Sequence, residues 1–146
     1  MYCFFKSILF LSIFLSLNSC AYFKINELDK RINNNDTSFY TLLSQEYKDF
    51  AQFELYDMHD EIDANYFAYK GLQVLNDKNI FVENPKNWKL SKKDLPIFLE
   101  EYNKINVILK QELYLKYPEE FSLMITGYDC WIEQSEENWQ LHDIEY

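Results

Sequence analysis

The chain has 146 residues and carries 14 basic against 24 acidic side chains, a formal net charge of −10. It is 48% hydrophobic and 18% aromatic, with only two glycines and three prolines. That apolar content excludes a disordered chain, the shortage of turn residues argues against an all-β fold, and the acidity leaves no electrostatic footprint for nucleic acid.

The N-terminus reads as an address. One cation, Lys6, precedes an apolar run from Ile8 to Leu17. The run falls well short of the roughly 20 residues that a helix needs to span hydrocarbon. A cation, a short apolar stretch and then small residues make a secretory signal peptide. It closes on Leu17-Asn18-Ser19-Cys20, which resembles the bacterial lipobox, although Asn18 stands where that motif prefers a small or hydroxyl residue. The resemblance implies cleavage before Cys20, a diacylglycerol on its thiol and acylation of its new amine. Several acyl chains anchor stably where one holds only reversibly. Ala21 follows the cysteine, and by analogy with the sorting rule of enteric bacteria the absence of Asp there points to the outer membrane.

Cleavage removes 19 residues and one cation, so the mature chain holds 127 residues at a charge of −11. Of the three cysteines, Cys3 leaves with the signal, Cys20 takes lipid and Cys130 is left without a partner in its own chain. In an oxidising compartment an odd cysteine is buried or pairs with another molecule.

The mature chain reads as an all-α fold, a small bundle of about four helices with one ordered loop (76–91). Residues 1–19 form the lipoprotein signal peptide, residues 20–36 the lipidated cysteine and a polar, Asn-rich tether, and residues 37–146 the helical domain. An irregular helix is the alternative for the tether, because Ile25, Leu28 and Ile32 sit at helical spacing. A first helix begins near Thr37 or Ser38, either of which suits an N-cap. Phe39, Leu43, Tyr47, Phe50, Ala51, Met58 and Ile62 form its stripe. A break between Asp60 and Asn65 leads into a second stripe of Ala64, Phe67, Ala68, Leu72 and Leu75. Gly71 there either permits close packing or marks an end. Ile80, Phe81, Val82 and Trp88 are too apolar for free water and are expected to fold back onto the helices.

The third helix carries Phe98, Leu99, Tyr102, Ile105, Leu109 and Leu113 on one face, capped by Ser91 or Asp94, with Pro96 in its first turn. Pro118 ends it and opens the fourth, with Glu119 and Glu120 at the favourable end of the dipole. Phe121, Ile125, Tyr128 and Ile132 form the last stripe, and Gly127 would admit the third helix closely. The short Tyr117-Pro118 joint makes these two helices antiparallel neighbours.

Three constellations bear on chemistry. Asp57, His59, Asp60 and Asp63 form the densest polar cluster, with His59 and Asp63 on one helix face, a possible grip on a divalent metal. The alternative is a solvated acidic face, since no two-helix ligand pattern accompanies the cluster. Cys130 is flanked by Asp129, Glu133, Glu136 and Glu137, which disfavour the thiolate that a nucleophile needs. Tyr128, Trp131 and Trp139, beside the acidic run from Glu133 to Glu137, make a candidate binding edge, against the simpler reading of a solvated helix face. No phosphate loop, nucleophile elbow or Cys-x-x-Cys occurs. No catalytic residue and no cofactor are expected.

Three blocks carry a family resemblance. They are Tyr56-Asp57-Met58 with Asp63-Ala64, Phe67-Ala68 and Lys70-Gly71; Pro85, Trp88 and Leu90 with Leu95-Pro96; and Tyr128-Asp129-Cys130-Trp131 with Glu133-Gln134, Glu136-Glu137-Asn138 and Asp143-Ile144. They resemble the N-terminal helical region of alphaproteobacterial OmpA-family lipoproteins. In those relatives an OmpA-like domain that grips peptidoglycan follows. Here the sequence stops at Tyr146, so no peptidoglycan-binding residues carry over and direct peptidoglycan binding is not expected. The resemblance implies a non-enzymatic envelope lipoprotein facing the periplasm, held to the membrane through N-acyl diacylglyceryl cysteine, with envelope or outer-membrane proteins as partners. The alternative is a small metal-binding or metal-dependent periplasmic protein using Asp57, His59, Asp60 and Asp63.

Overall fold

The computed structural model describes residues 19–137. Among them are five helices: α1 (Ser19–Arg31), α2 (Phe39–Tyr56), α3 (Glu61–Asp77), α4 (Leu95–Leu109) and α5 (Pro118–Glu137). Short 3-10 turns lie at Pro85–Asn87 and Leu113–Leu115. No strand occurs among the described residues, and the all-α bundle is the observed architecture. No described helix is long and apolar enough to cross a membrane.

The first departure from expectation is at residues 20–36. In place of a tether, α1 lies docked on α2 and α3. Ala21, Ile25 and Leu28 recur every three or four residues and are fully buried. Full burial contributes about 1.5–3 kcal/mol for a side chain such as Ile or Leu, a gain that a solvated tether would forgo. The polar residues that suggested a tether occupy the outer face. There Lys48 Nζ lies 2.8 Å from Asp29 Oδ1, and Arg31 Nη1 donates to Asn76 Oδ1 at 3.1 Å. Only the turn after Arg31 remains of the tether. In it Asp36 accepts from the Ser38 amide and from the hydroxyls of Ser38 and Thr41. Ser38 is the N-cap of α2 by position, yet it makes no side-chain capping bond.

α2 and α3 pack most closely, and α5 lies against α2. Phe50 and Phe67 meet with ring centroids 4.2 Å apart, and Tyr47 stacks on Phe67 at 6.4 Å. The chain breaks between α2 and α3 slightly earlier than the apolar spacing suggested. His59 adopts the left-handed conformation (φ 59°), and Asp60 Oδ1 accepts from the amides of Ile62 and Asp63, capping α3. α3 runs through Gly71 to Asp77 and closes on left-handed Lys78.

The segment from 78 to 94 folds back as the sequence suggested. Val82 is buried, and Ile80, Trp88 and Leu90 pack on the core. α4 ends at Leu109, not at Leu113. Glu112 turns left-handed (φ 55°) and diverts Leu113 into the 3-10 turn, leaving it partly exposed. α4 and α5 meet through rings: Phe98 lies 4.1 Å from Trp131 and 6.1 Å from Tyr128.

The two glycines differ. A Cβ on Gly71 would sit 2.6 Å from Leu28 Cδ2 and 3.2 Å from Tyr47 Cβ, so Gly71 is what lets α1 settle onto α3. A Cβ on Gly127 would meet nothing within 4 Å, which overturns the close approach expected there. Chemical denaturation should therefore separate the pair. Gly127→Ala gains about 1 kcal/mol from helix propensity alone. Gly71→Ala loses about 1–3 kcal/mol through overpacking.

Candidate functional site

The stripe of α3 carries a charge in its middle. Lys70 lies between Phe67 and Val74 on the buried face and is only 1% exposed. An ammonium there is tolerated only if it is paired and hydrogen-bonded. Its Nζ donates to Asp129 Oδ2 of α5 at 2.7 Å and to Glu83 Oε1 of the connecting segment. It also sits 4.3 Å from the ring centroid of Phe81 and 5.2 Å from that of Tyr47.

The two carboxylates are held in turn. Asp129 accepts from the Tyr47 hydroxyl at 2.6 Å and from the Glu83 amide at 3.0 Å. Glu83 accepts from the Tyr66 hydroxyl at 2.8 Å and from Trp88 Nε1 at 3.2 Å. Burial pushes the Asp129 carboxyl upward, and the adjacent Lys70 charge offsets part of that rise. Burial, with Asp129 alongside, drives the Tyr47 phenol well above its ordinary range. The assembly joins α2, α3, α5 and the connecting segment. With Lys70 and Asp129 both sealed from solvent, its role is to hold the fold.

One turn further along α5 the electrostatics reverse. Glu54 of α2 and Glu133 of α5 are fully buried, and Gln134 Nε2 donates to both, to Glu133 Oε2 at 2.8 Å and to Glu54 Oε1 at 3.5 Å. Their other oxygens, Glu54 Oε2 and Glu133 Oε1, have no hydrogen-bond partner among the described residues. Burial and then neighbouring carboxylates raise Glu54 to about 7, Glu133 to about 8 and Asp63 to about 6. Outside this pair, one carboxylate oxygen each of Asp60, Asp63 and Glu137 lies within 4.8 Å of the others. Asp63 also lines a cavity of about 350 Å³, whose other walls include Ile62, Tyr66, Glu83, Trp88 and Glu136. Its acidic rim and aromatic wall suit a small cation.

Comparison with protein-family models, with curated proteins and with solved structures finds no match to this chain.

The structure regroups the sequence candidates. Asp60 and Asp63 come together, but with Glu137 and not with Asp57 and His59. The shared face expected for His59 and Asp63 assumed a continuous helix, and the left-handed turn at His59 breaks that register. His59 instead lines a cleft with Tyr22, Tyr56 and Glu61. Tyr128, expected at a binding edge, is a core residue whose hydroxyl donates to the Phe98 carbonyl at 3.1 Å. Trp131 is 45% exposed beside Phe98. Trp139, Leu17 and Asn18 lie outside the described residues, as does the side chain of Ser19.

Cys20 is exposed at the head of α1, its Sγ 3.4 Å from Asn65 Oδ1. Cys130 is a free thiol that burial first, and then Glu133, Glu54 and Asp129, push up to about 12. A thiol so far above neutral pH is not a nucleophile.

Two outcomes follow. Lys70→Met removes the single cation from between Glu83 and Asp129 and should cost about 3–5 kcal/mol in urea unfolding, with Asp129→Asn in the same background recovering part of the loss. For Glu54 and Glu133 the folded state keeps protons that the unfolded chain sheds near pH 4.5. In divalent-free buffer their contribution to stability is therefore complete below that pH and is lost as pH rises through about 7 and about 8. Thermal melts from pH 5 to pH 8 should show a decline that the Glu54→Gln/Glu133→Gln double variant largely removes.

Proposed function

We propose that the protein is a non-enzymatic bacterial envelope lipoprotein, a helical interaction module held at the periplasmic face of the outer membrane by acylated Cys20. The observation that carries this reading is the placement of Cys20: it is exposed at the first turn of a helix rooted in the core. A lipid on that thiol needs no rearrangement of the domain. Tyr22 and Phe23, 49% and 65% exposed, stand next to it. Aromatic rings of this kind suit the headgroup layer of a bilayer. Because α1 is docked, the anchor would set the domain directly on the membrane surface and not on a flexible stalk.

Kinship with the N-terminal region of alphaproteobacterial OmpA-family lipoproteins belongs to the same proposal and rests on the sequence blocks alone. Partners would be envelope or outer-membrane proteins recognised through contact surfaces of the helical domain. A second reading, a metal-binding protein, is favoured by the convergence of Asp60, Asp63 and Glu137.

Labelling with radioactive palmitate in a bacterial host tests the lipid anchor. The wild-type chain should take label and sediment with membranes. Cys20→Ala should do neither, while Cys130→Ala should behave as wild type. An unlabelled wild-type chain, or a Cys20→Ala variant that still labels, would sink the proposal.

A further inference from the structure

Exposed apolar side chains are ordinary when scattered. Around Cys20 they are gathered. In the first turns of α1, Tyr22 and Phe23 stand with ring centroids 6.1 Å apart. On one side Tyr22 shares a cleft with Tyr56 at the end of α2. On the other, the Cys20 thiol donates to Asn65 of α3, and Lys24 Nζ lies 4.7 Å from the ring centroid of Tyr69. Ile62, Asn65 and Tyr69 follow one another at three- and four-residue steps, so they share one face of α3. Ile62 is 80% exposed, and Tyr56 and Tyr69 are about half-exposed. Three helices thus present rings and a branched aliphatic side chain to solvent around a single thiol. A gathered patch of this kind marks an interaction surface.

The sequence and the chemistry of the patch say what covers it. The apolar run from Ile8 to Leu17 ends just before α1 begins at Ser19, so that run and any acyl group on Cys20 both meet the domain at this face. Most of the exposed rings are tyrosines, apolar along the body and polar at the tip, a type enriched where hydrocarbon gives way to headgroups. α1 has 13 residues, well short of the roughly 20 that cross hydrocarbon, so the face lies on a bilayer and does not enter its core. A net charge of −10 is repelled by anionic lipid, which selects a neutral headgroup.

We propose that Tyr22, Phe23, Tyr56, Ile62 and Tyr69 form a membrane-seating face that rests in the headgroup layer of a zwitterionic phospholipid bilayer, with Cys20 among them. The inference rests on the reading of Cys20 as the acylated residue and extends it: the lipid holds the domain at the membrane, and the face fixes which side is turned down.

The test uses the full chain made in a bacterial host, with Cys3→Ser and Cys130→Ala leaving Cys20 as the native thiol. A second cysteine is introduced as Phe23→Cys, Tyr69→Cys or, on α4, Val107→Cys, and carries an environment-sensitive fluorophore. All three sites are exposed, so the labelled chains should keep the parent's melting temperature. In phosphatidylcholine vesicles, emission at positions 23 and 69 should rise about twofold or more and be quenched by nitroxide lipid, while position 107 stays as in water. Dye uptake by Cys20 in the parent chain would overturn the anchor, and the seating with it. An acyl-blocked Cys20 with positions 23 and 69 as wet as 107 would overturn the seating alone. So would an equal rise at 107, or a rise that follows protein concentration and not lipid, which would mark a second copy as the occupant.

Discussion

Lys70 places a full positive charge inside a small helical domain, and the surrounding elements are arranged to make that tolerable. An unpaired ammonium at that depth would cost several kcal/mol. Two carboxylates from separate parts of the chain answer it, and each is steadied by donors from further parts: Tyr47 and the Glu83 amide on Asp129, Tyr66 and Trp88 on Glu83. An ion pair of this kind adds little net stability compared with a well-packed apolar core. What it adds here is a demand for position. α2, α3, α5 and the segment after α3 satisfy the same few atoms only in one arrangement.

α5 presents the same chemistry twice with opposite outcomes. Asp129 has a cation; Glu133, four residues on, has none among the described residues. The first carboxylate is part of a satisfied network. The second shares a single amide with Glu54, and one oxygen of each has no partner among the described residues. At one turn of the helix the buried carboxylate is met by a cation; at the next, burial and neighbouring carboxylates let Glu54 and Glu133 keep their protons up to about pH 7 and about pH 8.

Much of the fold was legible because helical spacing is a strong signal. The stripe of Phe39, Leu43, Tyr47 and Phe50, the Pro96 and Pro118 boundaries, and the return of Val82 and Trp88 to the core all follow from apolar period and proline chemistry. The tether was misread because the composition of residues 20–36 is polar, while Ala21, Ile25 and Leu28 carry the information that matters. The buried charges were the hardest to see. Lys70, Asp129, Glu54 and Glu133 all fall at inward positions of their stripes, three or four residues from Phe67, Ile125, Ala51 and Asp129. A charge at an apolar register is the available signal, but a sequence alone does not say which distant residue will neutralise it. Asp60 and Asp63 stand close in sequence and remain neighbours in the fold, without Asp57 and His59. Their third neighbour, Glu137, comes from a helix whose approach no local pattern encodes, and His59 was misplaced because one left-handed residue ends the register.

The segment from 78 to 94 has little regular structure, and such segments ordinarily open and close on their own. Here it supplies Glu83 to Lys70 and lends its Glu83 amide to Asp129. Lifting it from the surface would strip a buried ammonium of one counter-ion and a buried carboxylate of one donor. Its opening is therefore coupled to the loss of the core and not to local fraying. In terms of cooperativity the loop belongs to the same unfolding unit as the three helices it joins, so an irregular stretch of chain shares the lifetime of the most protected part of the domain.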